Sequence, residues 1–196
     1  AAQPFPEQQT EGRRYWFCNP AYSYADAILL YCMMRYLRPR RIIEVGSGYS
    51  SAAILDTNQL FFDNSIECTF IEPQPELLRS LLTDRDLEGI QLQQEQLQEV
   101  DVDLFAKLAA NDILFIDSSH VSKIDSDVNH IFFRILPLLA SGVFIHFHDI
   151  FYPFEYPEDW ILNGRSWTEA YLLRAFLQFN NAFDVELFPN YLARFH

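Results

Sequence analysis

Two short stretches concentrate side chains that can move protons or hold a cation. Asp117-Ser118-Ser119-His120 sets a carboxylate three residues before an imidazole, and His146-Phe147-His148-Asp149 gathers two imidazoles and a carboxylate. Carboxylate and imidazole together suit a divalent cation or an acid/base pair. His146 and His148 share one face of a strand by the period-two rule. Of the two, His146 reads as a satisfied core histidine, and His148 with Asp149 as site candidates. His130 falls inside a helical pattern and reads as structural, and the terminal His196 is uninformative. A second group is Glu44, two residues before Gly46-Ser47-Gly48, together with Glu72 farther on. Glycines at such a turn permit a tight bend and close approach of a ligand to the backbone, although a plain strand-to-helix turn uses them too.

These residues fall at the ends of apolar segments that alternate in type. Ser23 with Asp26 reads as a capping box, followed by a helical stripe through Ala27, Leu30, Tyr31, Met34 and Leu37 that Pro39 stops. Strands are expected at 42–45, 66–71, 90–94, 113–116 and 142–147, with helices over 50–60, 76–84, 104–110 and 124–138 between them. The alternation implies right-handed crossovers and a doubly wound parallel sheet with helices on both faces. Ligands of such sheets sit at the carboxyl ends of the strands, where the residues above collect. Ser166-Trp167-Thr168-Glu169 forms a second capping box for a helix to about Phe179, and 183–188 with 191–195 read as a closing hairpin around Pro189-Asn190. The stretch 151–165 holds Phe151, Tyr152, Tyr156 and Trp160 among prolines. It is placed to cover an acceptor, with Arg165 available for a carboxylate or phosphate, or it is a surface loop pinned by its own packing.

Composition narrows the classes. The chain has 196 residues, 49% hydrophobic and 21% charged, which excludes wholesale disorder. Residues 1–22 read as an irregular lead-in and 23–196 as a single domain. With 27 acidic against 14 basic residues the net charge is −13, and Lys107 and Lys123 are the only lysines. Such a surface repels nucleic acid and anionic lipid, and no apolar run is long enough for a membrane span. Cys18, Cys32 and Cys68 have neither zinc-site spacing nor a disulfide framework, so a reduced, cytoplasmic setting is expected. A homodimer is permitted but not implied. Ala1 at the start and an unfinished last segment lead us to expect trimmed ends.

The two carboxylates near the glycine turn point to one ligand type. The third glycine of a dinucleotide fingerprint is replaced by Ser51, and Glu44 would repel a pyrophosphate while attracting an ammonium. Glu72 lies at roughly the 20-residue distance at which an acid takes ribose hydroxyls. A cationic, ribose-bearing ligand without a pyrophosphate fits both, as S-adenosylmethionine does. On Glu44-Val45-Gly46-Ser47-Gly48, Glu72 and Asp117, over roughly residues 23–188, the sequence resembles the class I S-adenosylmethionine-dependent methyltransferases. The resemblance implies a seven-stranded, Rossmann-like sheet with an antiparallel last strand. It implies that the glycine turn with Ser51 holds the methionine moiety, Glu72 the ribose, and the Gln96–Gln98 region, Gln98 in particular, the adenine. Asp117 would approach the cofactor.

Asp117 and His120 are further similar to the metal-dependent branch, the catechol and macrolide-sugar O-methyltransferases. There, acids at the fourth and fifth strand ends hold magnesium and a histidine three residues past the fourth-strand acid is the base. Carried over, Asp117, Asp149 and His148 are candidate metal ligands and His120 the expected base, with His148 and Asp149 assisting. His148 in place of a second acid or amide departs from that pattern and leaves a softer metal, or no metal, open. The expected reaction is methylation of a small-molecule or sugar hydroxyl. The alternatives are a non-catalytic cofactor-binding subunit, a metal-dependent hydrolase built on the Asp/His cluster, and a nicotinamide-dependent oxidoreductase, which the absent third glycine and Glu44 disfavour.

Overall fold

The structure is a computed structural model that describes residues 4–196. Helix α1 (Tyr24–Leu37) buries Ala27, Leu30, Met34 and Leu37, the expected stripe, and ends at Arg38, whose left-handed backbone lets its N–H bond Met34 before Pro39. Strands β1 (Arg41–Val45), β2 (Glu67–Ile71), β3 (Gln91–Gln93), β4 (Ile113–Ile116) and β5 (Phe144–Phe147) form one parallel sheet in the order β3-β2-β1-β4-β5. Crossovers run through α2 (Tyr49–Phe62), the short α3 (Glu76–Leu81) and α4 (Asp84–Glu88), two 3-10 turns (Leu97–Glu99 and Val102–Lys107), and α5 (Asp127–His130) continued by a wider turn (Ile131–Ile135) to Leu138. After β5 come α6 (Glu158–Leu162), α7 (Glu169–Gln178) and α8 (Pro189–Phe195).

Alternation along the strands divides the core. Ile42, Ile113 and Phe115 join α1 and α2 on one face, while Ile43, Val45, Leu114 and Ile116 join α5 and α7 on the other. The irregular lead-in belongs to the first of these cores: Phe5, Tyr15, Phe17 and Tyr22 are buried in it. Asp56 of α2 pins the segment by accepting the backbone N–H of Tyr15 at 3.0 Å and the Arg14 guanidinium at 2.8 Å. Residues 1–3 of that segment lie outside the described residues.

Several expectations are corrected. Among the described residues the sheet has five strands, all parallel, rather than seven with an antiparallel last strand. The expected hairpin is absent: 183–188 is irregular and Pro189 opens α8, a position where a missing N–H leaves no hydrogen bond unmade. The helix expected from 124 begins at Asp127, because the Ser126 hydroxyl caps it by accepting the Asn129 N–H; Ile124 is left 95% exposed. The helix expected over 76–84 is two, since Thr83 and Asp86 cap each other across a break. The 104–110 segment forms a 3-10 turn over Val102–Lys107. Neither expected capping box closes with side chains. Among the described residues no helix is long and apolar enough to cross a membrane.

Candidate functional site

Strand register brings the candidate residues into one row. Val45 pairs with Ile71 and Ile116, and Ile116 with Phe147. One residue later the ladder makes its last bonds: Gly46 N–H to Ile71 O, Asp117 N–H to Val45 O, His148 N–H to Ile116 O, and Glu72 N–H to Gln93 O, all within 2.8–3.0 Å. Glu72, Gly46, Asp117 and His148 therefore stand side by side where the sheet stops, on the rim where a ligand can reach them.

The glycine turn is built around a close crossing. Gly46 has φ +82°, and a Cβ there would lie 1.9 Å from the Asp117 carbonyl oxygen, so only glycine fits. The Ser51 hydroxyl accepts the Gly48 N–H at 3.0 Å and donates to Glu44. Ser51 and Glu44 are both fully buried beneath the turn. Burial outweighs the serine hydrogen bonds and pushes the Glu44 carboxyl up to about 8, and its Oε1 has no hydrogen-bond partner among the described residues. Glu72 is fixed from two directions: Oε2 accepts the Ser47 N–H at 3.2 Å and Oε1 the Gln74 N–H at 2.8 Å. A cleft of about 480 Å³ opens between these strand ends, walled by Gly46, Glu72, Leu97, Gln98, Asp117 and Lys123 among others. Gln98 reaches it, with its amide donating to the Asp125 carbonyl at 2.6 Å.

The other side of the rim holds the acid and histidine cluster. His120 is 3% exposed and has φ +58°. Its Nε2 is 3.2 Å from Asp117 Oδ1 and its Nδ1 2.8 Å from Glu169 Oε2, and its ring stacks on Trp167 at 4.0 Å. Burial alone would push this imidazole down. The hydrogen bonds and charges of Asp117 and Glu169 outweigh it and hold the ring at about 9. A ring that keeps its proton at neutral pH, with both nitrogens engaged, does not suit the expected base role. His148 is buried, with Nε2 3.6 Å from Asp149 Oδ1 and the Tyr22 ring 5.2 Å away. Asp149 also has a left-handed backbone, φ +56°. Burial raises its carboxyl while His148 opposes the rise. His146, half-buried on the edge strand, stacks on Phe115 at 4.3 Å, and burial with the neighbouring His148 pushes it down to about 3; its Nε2 has no hydrogen-bond partner among the described residues, so it is not the satisfied core histidine expected.

Among the described residues no three His, Cys, Asp or Glu side chains converge as a metal ion requires. Asp117, Asp149 and His148 share the rim without forming such a set, so the side chains as placed do not fit the expected magnesium.

Asp26 and Glu169 are functional candidates that sequence reasoning placed elsewhere. Both were assigned to capping boxes, but the structure turns both toward the site. Asp26 feels His148, Asp149 and Asp117, and burial raises its carboxyl. Glu169, fully buried, binds His120 and accepts the Ser118 hydroxyl at 2.9 Å. An acid at the third position of a box looks the same in sequence whichever way it turns. In the segment after β5, Arg165 lies over Trp160 at 4.1 Å and Trp167 at 4.9 Å.

Residues 43–150, more than half of the chain and spanning β1 to just past β5, match the family described as a methyltransferase domain. The chain belongs to that methyltransferase family. It is also similar to an uncharacterised protein of Archaeoglobus fulgidus, 36% identical over 99 residues, which is 50% of this chain and 43% of that protein. The matched stretch thus spans less than half of that relative's length. The methyltransferase domain accounts for the parallel sheet and for the glycine turn at the end of its first strand. Lead-in and α7 lie outside the matched stretch, yet Tyr22 and Glu169 reach the methyltransferase rim.

Proposed function

We propose that this methyltransferase uses S-adenosylmethionine to methylate a hydroxyl of a small molecule or sugar. The observation that carries the reading is the placement of Glu72, Gly46 and Asp117 in one row, with Glu72 fixed by two backbone N–H groups. A carboxylate so held has lone pairs left for the two ribose hydroxyls, Gly46 leaves the backbone open at the cleft, and Gln98 stands on the adenine side. Glu44 lies beneath the turn, and a cation bound above it would favour the ionised form of a carboxyl that burial raises to about 8. The group, when bound, supplies a methyl already activated by its sulfonium.

The protein then has only to hold the acceptor in line and take its proton. His148 and Asp149 are the pair we assign to that proton, because His120 already carries one. Asp117, with one oxygen engaged by His120, orients the acceptor with the other. Trp167 is taken by its stack on His120, so half-buried Trp160, with Arg165 over it, is the ring left to a sugar or an aromatic ring.

Calorimetry with S-adenosylmethionine and S-adenosylhomocysteine tests the reading. Micromolar binding that weakens by roughly 10–100-fold in Glu72→Ala, the scale of losing one or two hydrogen bonds to a charged group, is the expected result. Absence of binding in the parent protein overturns it. A panel of glycosides and catechols in a methyl-transfer assay then separates the acceptor classes.

A further inference from the structure

The loop after β4 is held by a segment that begins 17 residues beyond the matched stretch. The Thr168 and Glu169 N–H groups both donate to the His120 carbonyl, at 2.8 and 3.1 Å, and the Ser122 N–H donates to Thr168 Oγ1 at 2.8 Å. These bonds account for the position of the loop, and they use only backbone groups and Thr168. The Glu169 side chain does something additional. One oxygen accepts the Ser118 hydroxyl, the other meets His120 Nδ1, and no part of it touches solvent. Ser118 in turn accepts the His120 N–H at 3.1 Å.

A carboxylate only accepts hydrogen bonds. An imidazole between two carboxylates must therefore donate from both nitrogens, and the Nδ1 partner decides how the ring turns. The face of that ring is closed by Trp167 at 4.0 Å, which favours a cationic ring. At the far end, His120 Nε2 takes Asp117 Oδ1, while Oδ2 has no hydrogen-bond partner among the described residues and the side chain is 35% exposed at the cleft.

We propose that Glu169 is a positioning residue: it fixes His120 as a two-sided donor, and through that ring it fixes the Asp117 carboxylate with one oxygen bound and the other presented to the cleft. The assignment of Asp117 to the acceptor rests on the methyl-transfer reading above; the Glu169–His120–Asp117 line does not. Helix α7 is thereby part of the site rather than only a prop for it. A glutamate at a helix start next to a solvent-free histidine has no such need if its task is only to stabilise the helix, because a glutamate capping box works at the surface.

The experiment is long-range proton–nitrogen NMR of the full chain with labelled histidine, at pH 7.5, on the parent protein and Glu169→Gln. Assignment uses His120→Gln. The parent should show both His120 nitrogens protonated, with the Nδ1 proton far downfield and slow to exchange. Glu169→Gln keeps the side chain's size and every backbone bond but takes one charge from beside the buried ring, so the melting temperature should fall while S-adenosylmethionine affinity stays close to the parent's. The downfield resonance should be lost. Ser118→Ala, which removes the other partner of Glu169 and the acceptor of the His120 N–H but leaves both ring nitrogens their acids, should shift the same resonance and serves if Glu169→Gln does not fold. An unchanged resonance in a folded Glu169→Gln, or in Ser118→Ala when the first variant fails, overturns the proposal. So does a parent ring protonated on one nitrogen only. Failure of S-adenosylmethionine to bind the parent removes the methyl-transfer reading and leaves the resonance test standing.

Discussion

The two sides of the rim hold their polar groups by different means. At the glycine turn, Glu72 is held by the backbone N–H groups of Ser47 and Gln74, and Glu44 by a serine on the next helix turn. At β4 and β5, His120 is held by a side chain 49 residues away, and the His148 ring lies against Tyr22 of the lead-in. Backbone donors come with strand–turn–helix geometry, so a short motif suffices to build the first side. The second depends on the lead-in, α1 and α7 all packing correctly. The difference separates two tasks. On the reading proposed above, a common ligand is met by a portable motif, whereas the acceptor side also leans on elements that the matched domain does not include.

The largest effect we expect breaks the one place where both sides meet. Gly46→Ala puts a Cβ 1.9 Å from the Asp117 carbonyl, at φ +82°. β1 and β4 cannot part without losing ladder bonds. We expect a loss of about 3 kcal/mol or more, which is roughly 6–12 °C in Tm for a chain of this size, together with loss of S-adenosylmethionine binding. A melting curve indistinguishable from the parent's would show that the crossing relaxes and that the two sides are less tightly joined than the geometry implies.

His120→Gln tests the second side alone. The ring's folded value of about 9 lies above its ordinary 6.5, so its contribution to stability is complete below pH 6.5 and is lost as pH rises through 9. In urea unfolding the variant should fall below the parent by about 2–3 kcal/mol at pH 6, and the gap should narrow by pH 10. A gap that does not change with pH would mean that the ring is neutral between its two acids.

The same division explains what the sequence disclosed. Strand ends, the glycine turn, Glu72 and the doubly wound sheet follow from periodicity and local spacing, and β1, β2 and β4 fell within a residue of expectation. Asp26 and Glu169 were visible only as helix-start acids, because the groups they meet lie far away in the chain. Pro189-Asn190 was misread for a related reason. Proline serves both a turn and the first turn of a helix, and only the absence of a neighbouring strand decides between them. His120 was read as a site residue, but Asp117 and Glu169 together hold its proton, and Glu169 lies far away in the chain, so its protonation was not legible. The lead-in looked irregular, and its described residues form no helix or strand. That Asp56 would bind it into the core is a matter of long-range packing.

On the first side, Glu44→Gln gives a smaller, pH-dependent effect. Burial raises the folded carboxyl to about 8 from an ordinary 4.5, so the folded chain binds a proton that the unfolded chain has released. Stability tied to this group is present below pH 4.5 and lost as pH rises through 8. Relative to the parent, the variant should therefore gain Tm between pH 5 and pH 8.5 while binding S-adenosylmethionine more weakly. No relative gain would show that the unpartnered oxygen is satisfied by water and that Glu44 ionises without difficulty.

Gly48→Ala should have the least effect, and it sharpens the comparison from within the motif. The backbone at Gly48 is extended, a conformation any residue adopts, and an added Cβ would meet Leu77 Cδ2 at 3.1 Å. That atom ends a flexible side chain on α3 and can give by a few tenths of an ångström. We expect less than about 1 kcal/mol in stability and a change in S-adenosylmethionine affinity within about threefold. The two glycines of one motif would then have separate causes: Gly46 is required by the Asp117 crossing, and Gly48 is only tolerant. A large affinity loss at unchanged Tm would mean instead that the ligand approaches the backbone at Gly48, and that the motif serves the cofactor at both glycines and the fold at one.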